Sequence, residues 1–172
     1  MHNKKKDGGY NPGFQESLLL EVKHLRRYAH ALLGSRGYDS AEDLVHDCLE
    51  KALTHQSSWQ RGTNLRAWLF RILHNLYVTR VRASARSVEV PSYPNQPEPS
   101  VDGRKSDIEV IDLERALDQL PFTHREVLVL VAVEGLSYQE AADIIQVPVG
   151  TVRSRLSRAR ESLCVLLERP DI

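Results

Sequence analysis

A proline-rich segment near the middle of this chain limits what the sequence can fold into. Residues 87–107 contain Pro91, Pro94, Pro97 and Pro99 among serine, asparagine, aspartate and glycine, a composition that builds no helix or strand. We interpret the segment as a flexible linker, kept extended by its prolines at about 3 Å per residue. Apolar residues recur at helical spacing on both sides of it, and no strand-like alternation appears. The sequence therefore predicts an all-α protein of two small helical domains joined by this linker.

Periodic apolar residues and helix-capping motifs set the predicted boundaries. Leu18, Leu25, Ala29 and Leu32 lie on one face of the first helix. Capping boxes, in which a serine or threonine precedes an acidic residue by three positions, predict helix starts at residues 40–43, 123–126 and 137–140. The chain is predicted to comprise a flexible arm at 1–13, a helical domain at 14–86, the linker at 87–107 and a second helical domain at 108–169.

The second domain contains an arginine-rich helix near its end. Val152, Leu156 and Ala159 form an apolar stripe, whereas arginines occupy positions 153, 155, 158 and 160. A short capped helix and a turn at 146–149 precede it, in the order of a helix-turn-helix whose second helix enters the major groove of DNA. Two alternatives stay open: the charges could simply be solvated, and Arg155 could pair inward with a glutamate at 126 or 140. The outward residues that could reach base edges or phosphates are Thr151, Arg153, Ser154, Ser157 and Arg158.

The first domain contains a basic stretch with aromatic residues. No aspartate or glutamate occurs between residues 51 and 88. Trp59 could stack on an unpaired base or cover the core, whereas Trp68 and Phe70 are more typical of core residues. His74 and Asn75 are expected to be satisfied polar groups at the surface. The stretch is therefore a candidate for a second nucleic-acid surface.

An acidic helix precedes that stretch. Asp43, Asp47 and Glu50 lie on the outer face of the helix predicted at 41–52, and a solvated face is the simplest interpretation. His46 and Glu50, four residues apart, could hold a metal ion, but nothing nearby in the sequence supplies further ligands. The sequence also contains no nucleophile–base pair and no phosphate-binding glycine loop. We therefore predict no metal, no cofactor and no enzymatic activity.

The overall composition excludes several protein classes. Lysine plus arginine and aspartate plus glutamate number 23 each, so net charge alone identifies no partner. No apolar run reaches the ~20 residues that span a membrane, and no secretory signal follows the basic N-terminus. Cys48 and Cys164 lie in apolar helical patterns and are predicted to be buried thiols. We expect a cytoplasmic protein without membrane insertion.

Several motifs together resemble a known family, the extracytoplasmic-function (group IV) sigma-70 factors. In the first domain, residues 41–47 (AEDLVHD) and 65–75 (LRAWLFRILHN) are similar to region 2 of that family. In the second, residues 117–121 (LDQLP), 134–142 (EGLSYQEAA) and 147–155 (VPVGTVRSR) resemble region 4. The family has only these two regions, in this order, so the resemblance covers nearly the whole chain.

The resemblance implies a role in transcription initiation. Such proteins bind core RNA polymerase at its β′ clamp and β flap, recognise the −35 and −10 elements of promoter DNA and help to melt it. The implied polymerase-binding residues are Asp43, His46, Asp47 and Glu50. Those for the −10 element and melting are Trp59, Gln60, Arg61, Thr63, Asn75, Arg80 and Arg82. Those for the −35 element are Thr151, Arg153, Ser154, Arg155, Ser157 and Arg158.

The sequence departs from the family pattern at one position of the turn, and it also resembles one subgroup of the family. Gln146 stands where glycine is frequent, and a left-handed backbone there would cost about 1 kcal/mol. Residues 62–70 and 75–79 resemble the general-stress-response sigma factors of alphaproteobacteria, which a small helical anti-sigma factor holds inactive.

Two other functions are weighed against a sigma factor. A sigma mimic that sequesters an anti-sigma factor would carry a receiver domain, and no part of this sequence has that pattern. A simple helix-turn-helix regulator would leave residues 41–52 and 65–86 unexplained.

Overall fold

The computed structural model describes residues 12–34, 38–60, 62–86 and 108–167. Every regular element in these ranges is helical, which confirms the predicted all-α class. The predicted linker at 87–107 and nearly all of the predicted arm lie outside the described residues.

Three helices form the N-terminal region. Apolar residues of α1 that share one face (Leu18, Leu25, Ala29 and Leu32) are buried, as the periodicity predicts. Helix α1 starts with Pro12, a residue suited to a first helical turn because no N–H is needed there. The helices pack against one another pairwise and are α1 (Pro12–Leu33), α2 (Tyr38–Thr54) and α3 (Leu65–Arg86), with a 3-10 turn at Gln56–Ser58.

Four helices form the C-terminal region, in which α7 packs against the other three. They are α4 (Ile108–Gln119), α5 (Phe122–Leu128), α6 (Tyr138–Ile145) and α7 (Val149–Leu167). Between α5 and α6 the chain makes a wider, π-helical turn at Val129–Val133. In this turn the N–H of Glu134 donates to the carbonyl of Val129 at 2.9 Å, five residues back.

The helix starts agree with only one of the three predicted capping boxes. Ser137 caps α6 as predicted. The box at 40–43 is wrong, because α2 already begins at Tyr38 and Ser40 lies inside it. The box at 123–126 is also wrong: α5 begins at Phe122 with no side-chain cap. Its acidic residue, Glu126, is buried and bonds to side chains of the N-terminal region instead.

The two regions are packed together rather than separate. Helix α3 contacts α6, and α1 contacts both α5 and the π-helical turn. Their buried apolar side chains belong to one continuous core. Cys48 is buried in this core, whereas Cys164 is exposed and its predicted burial is wrong. Position 164 follows Arg153 and Arg160 along the outer face of α7, away from the buried stripe.

Candidate nucleic-acid interface

Ser137 fixes the start of α6, the supporting helix of the predicted helix-turn-helix. The N–H of Glu140 donates to the Ser137 hydroxyl at 3.2 Å, and the N–H of Ser137 donates to the Glu140 carboxylate at 2.8 Å. The Asn64 side chain of the N-terminal region donates to the same carboxylate at 2.7 Å. Burial alone would raise the pKa of Glu140, but hydrogen bonds from Ser137 and Asn64 outweigh it and lower that pKa.

The turn between α6 and α7 passes through a left-handed residue. Gln146 has φ 56° and ψ 49°, so the conformation that favours glycine is present at the position where the sequence departs from the family. The next N–H, of Val147, donates to the carbonyl of Ala142 at 3.1 Å and closes the end of α6. The turn thus sets the direction of α7.

Helix α7 has one buried and one exposed side. Val152, Leu156 and Ala159 are buried against the C-terminal region, as the sequence predicts. Thr151 and Arg155 are half-buried. The other predicted −35 residues are exposed on the outer surface of the helix: Arg153, Ser154, Ser157 and Arg158. The structure therefore brings these four side chains together on the exposed side of α7, where the Ser154 hydroxyl donates to the Thr151 carbonyl and the Ser157 hydroxyl to the Glu161 carboxylate.

The ion pairs suggested for Arg155 do not form, because both glutamates are engaged elsewhere. Glu126 bonds to Tyr28 and His74, and Glu140 bonds to Ser137 and Asn64. The half-buried Arg155 therefore lies at the edge of the exposed surface of α7 and not in an inward salt bridge.

Tyr138 is a residue of this interface that sequence reasoning missed. Its ring lies 5.7 Å from the guanidinium carbon of Arg153, a cation–π contact across the helix-turn-helix. The available signal was its place at the first position of α6, which faces the start of α7 across the turn.

The loop at 58–63, which is predicted to hold a −10 base, contains both exposed and packed side chains. Gln60 and Thr63 are exposed, and the Thr63 hydroxyl donates to the Gln60 carbonyl at 2.7 Å. Arg61 lies outside the described residues. The ring of Trp59 packs on Phe14 at 5.5 Å between centroids, and its buried indole N–H has no hydrogen-bond partner. This packing favours the interpretation of Trp59 as a cover of the core.

The predicted −10 residues on α3 lie in two different settings. Asn75 and Arg82, seven residues apart, are exposed on one face of the helix. Arg80 is ion-paired with Asp47 of α2 at 2.5 Å. A predicted DNA-binding residue and a predicted polymerase-binding residue are therefore direct partners. His74, expected at the surface, is only 11% exposed and contacts Glu126.

The acidic face of α2 is presented to solvent. Asp43, His46 and Glu50 are exposed and Asp47 is half-buried. Ligand atoms of His46, Asp47 and Glu50 lie within 4.8 Å of one another. Arg80 is ion-paired with the Asp47 carboxylate of this group.

Comparisons with known proteins identify the family. Residues 111–163 match the family described as Sigma-70, region 4, and residues 18–74 match that described as the Sigma2 domain of PhyR. The ECF RNA polymerase sigma factor EcfG of Rhodopseudomonas palustris is 41% identical over 159 residues, which cover 89% of this chain and 84% of that protein. The chain belongs to the ECF RNA polymerase sigma factors. Its function is therefore that of a sigma factor and not that of a mimic or a simple regulator.

Further relatives support this identification of the sigma factor. This chain is 32% identical to the ECF sigma factor SigM of Mycobacterium tuberculosis (strain H37Rv) over 150 residues, which cover 87% of this chain and 75% of that protein. The solved sigma factor RpoE, in complex with the anti-sigma factor NepR from Bartonella quintana, is 36% identical with a TM-score of 0.74, covering 94% of this chain and all of that one. The resemblance found in the sequence, including the general-stress subgroup, is confirmed.

Membership of this family also settles the type of function. Sigma factors are non-enzymatic. Within the described part of the sigma factor, no helix has the length and apolar character needed to cross a membrane.

Proposed function

We propose that this sigma factor reads promoters through two separate surfaces. The exposed side of α7, with Arg153 and Arg158, would read the −35 element in the major groove, because guanidinium groups bind guanine edges with two hydrogen bonds. The loop at 58–63 and the exposed face of α3 would bind the −10 element and stabilise the melted strand. The observation that carries the proposal is the capped α6, the left-handed turn and the exposed arginines of α7 in one helix-turn-helix.

The acidic face of α2 is the proposed contact with core polymerase. Asp43, His46, Asp47 and Glu50 would dock on the β′ clamp, and the C-terminal region would contact the β flap. The exposure of Asp43, His46 and Glu50 along one side of α2, with Asp47 half-buried between them, supports this assignment. A subunit that works on core polymerase acts in the cytoplasm.

Control by an anti-sigma factor of the NepR type is the proposed regulation. RpoE of Bartonella quintana is bound by NepR, and that chain is 36% identical to this one over almost its whole length. We therefore place this sigma factor in a general-stress regulon whose anti-sigma factor resembles NepR.

Replacing one arginine of α7 tests the −35 assignment. Holoenzyme assembled with core polymerase of Rhodopseudomonas palustris would transcribe a promoter library randomised across the −35 element, and sequencing of the transcripts would report the preferred bases. Arg153→Ala should lose the preference at one base pair, a discrimination of about 1–3 kcal/mol.

Arg160→Ala is the matched control, because Arg160 is exposed on the same helix but outside the predicted set. It should lower transcription from all sequences alike and keep the base preference. If Arg153→Ala behaved as Arg160→Ala does, the assignment of base contacts to Arg153 would be refuted.

A further inference from the structure

Arg153 differs from the other exposed arginines of α7 in having a side-chain contact that holds its guanidinium group. The guanidinium carbon lies 5.7 Å from the centre of the Tyr138 ring. In the described part of the chain, neither Arg158 nor Arg160 has such a ring contact, and no carboxylate forms a salt bridge with any of the three arginines. Because a long exposed arginine normally samples many rotamers, a defined contact at one of the three is informative.

Tyr138 lies where hydrogen bonds hold the backbone. It is the first residue of α6 and directly follows Ser137, whose hydroxyl and N–H both bond to Glu140. Tyr138 is 37% exposed, so its ring is not a core side chain. A tyrosine has only two side-chain torsions and loses little conformational entropy when its ring is held. The turn at Gln146 then sets where α7 begins relative to this ring.

The ring and the guanidinium group lie on the side of α7 that also carries Ser157. Both line one shallow groove, together with Leu156, Ser157 and Arg160. Positions 153, 157 and 160 recur at helical spacing and therefore share one side of the helix. Tyr138 thus holds Arg153 beside another residue of the predicted −35 set.

A ring contact suits a base-reading arginine better than a salt bridge does. A carboxylate would accept the N–H donors of the guanidinium group, whereas an aromatic ring attracts its charge and leaves the donors free. Guanine needs two of those donors, for its O6 and N7 atoms. At an exposed site, a cation–π contact corresponds to a preference of about two- to fivefold for the held arrangement. An arginine that is already held loses less conformational freedom when it binds a base.

We propose that Tyr138 is a positioning residue for promoter recognition. Its ring holds the guanidinium group of Arg153 ready for one base pair of the −35 element, so the base preference at that pair depends on Tyr138. Arg158 has no such ring partner among the described residues, and the preference at the pair that it reads does not depend on Tyr138. This role rests on the proposed reading of the −35 element by α7.

Base preferences of the holoenzyme test this dependence. Holoenzyme with core polymerase of Rhodopseudomonas palustris would transcribe the library randomised across the −35 element, and Arg153→Ala and Arg158→Ala would identify the pair that each arginine reads. Tyr138→Leu should lower the preference at the Arg153 pair by about two- to fivefold and leave the Arg158 pair unchanged. Tyr138→Phe keeps the aromatic ring and should keep both preferences. Tyr138→Leu combined with Arg153→Ala should cause no further loss at the Arg153 pair.

The matched control is Gln139→Leu, at the next exposed position of α6, which should change neither preference. If Arg153→Ala lost its preference while Tyr138→Leu kept it, this proposal would be overturned and the −35 role of α7 would stand. A uniform loss of transcription in both Tyr138→Phe and Tyr138→Leu, with preferences intact, would also overturn it, because the hydroxyl would then make a sequence-independent contact. If Arg153→Ala itself kept the preference, the base-reading role of Arg153 and this proposal would fail together.

Nuclear magnetic resonance of the free full-length chain tests the contact without DNA or polymerase. The ring current of Tyr138 should shift the side-chain proton signals of Arg153. The shift should vanish in Tyr138→Leu and persist in Tyr138→Phe, and unchanged signals of Arg158 would show that the fold of both variants is intact. Arg153 signals that are identical in the unsubstituted protein and in Tyr138→Leu would overturn the proposal.

Discussion

Gln146 shows how a single residue limits the stability of the helix-turn-helix. Its left-handed backbone (φ 56°) places a side chain where glycine would be unstrained. Gln146→Gly should therefore raise the free energy of unfolding by up to about 1 kcal/mol. Denaturant unfolding followed by circular dichroism would measure the change.

A second glutamine provides the control for that substitution. Gln139 lies inside α6, so Gln139→Gly should lower the free energy of unfolding by roughly 0.5–1 kcal/mol through the helix propensity of glycine. If Gln146→Gly destabilised the protein as much as Gln139→Gly, the left-handed turn would not be the source of strain.

Sequence patterns predicted the exposed residues of the site better than the buried Glu126 and its partner His74. The apolar stripe of α7 correctly implied that Arg153, Ser157 and Arg158 face solvent, because helical periodicity fixes which side is buried. Helical periodicity did not predict that Glu126 would be buried and His74 largely buried. Their burial depends on residues that meet only when the two regions pack, 52 positions apart in the chain.

At the scale of elements, the capping box of α6 links helix stability to pH. The pKa of Glu140 is lowered from its ordinary value of 4.5, so the folded state favours the carboxylate form. This contribution to stability is fully present above that value and is lost as the pH falls through the folded-state pKa. Glu140→Gln should therefore flatten the loss of stability below about pH 4.5. Urea unfolding at a series of pH values would show it.

Replacing Ser137, the other residue of the α6 capping box, tests the contribution of the cap to stability. Ser137→Ala should lower the free energy of unfolding by about 0.5–2 kcal/mol at neutral pH, because the N–H of Glu140 loses its acceptor. Ser154→Ala, on the exposed surface of α7, should have a much smaller effect. Similar losses from the two substitutions would contradict the capping role.

The existence of the helices followed from the sequence, whereas several of their starts did not. Apolar spacing is a property of each helix alone and predicted all the long ones. The start of a helix depends on which partner the capping side chains bind. The capping box predicted at 123–126 does not form, because the Glu126 carboxylate accepts a hydrogen bond from Tyr28 and α5 begins after Pro121 without a side-chain cap. Only at Ser137 did the motif and its surroundings agree.

At the scale of the whole molecule, the N-terminal and C-terminal regions share one core. The linker composition predicted two domains but said nothing about their contact, since complementarity between distant surfaces has no local signature. The charged residues flanking the apolar run 127–133 were the available hint. The packed regions leave most of the acidic α2 face and the arginines at positions 153, 158 and 160 exposed.

The most direct test of the account is run-off transcription. The reaction would contain purified core polymerase of Rhodopseudomonas palustris, this protein, and a linear template with a promoter that EcfG of that organism uses. We expect a transcript of the length set by the promoter start, absent with core polymerase alone and absent from a template with scrambled −35 and −10 elements. No transcript from this protein, while EcfG produces one on the same template, would contradict the assignment of promoter recognition to this chain.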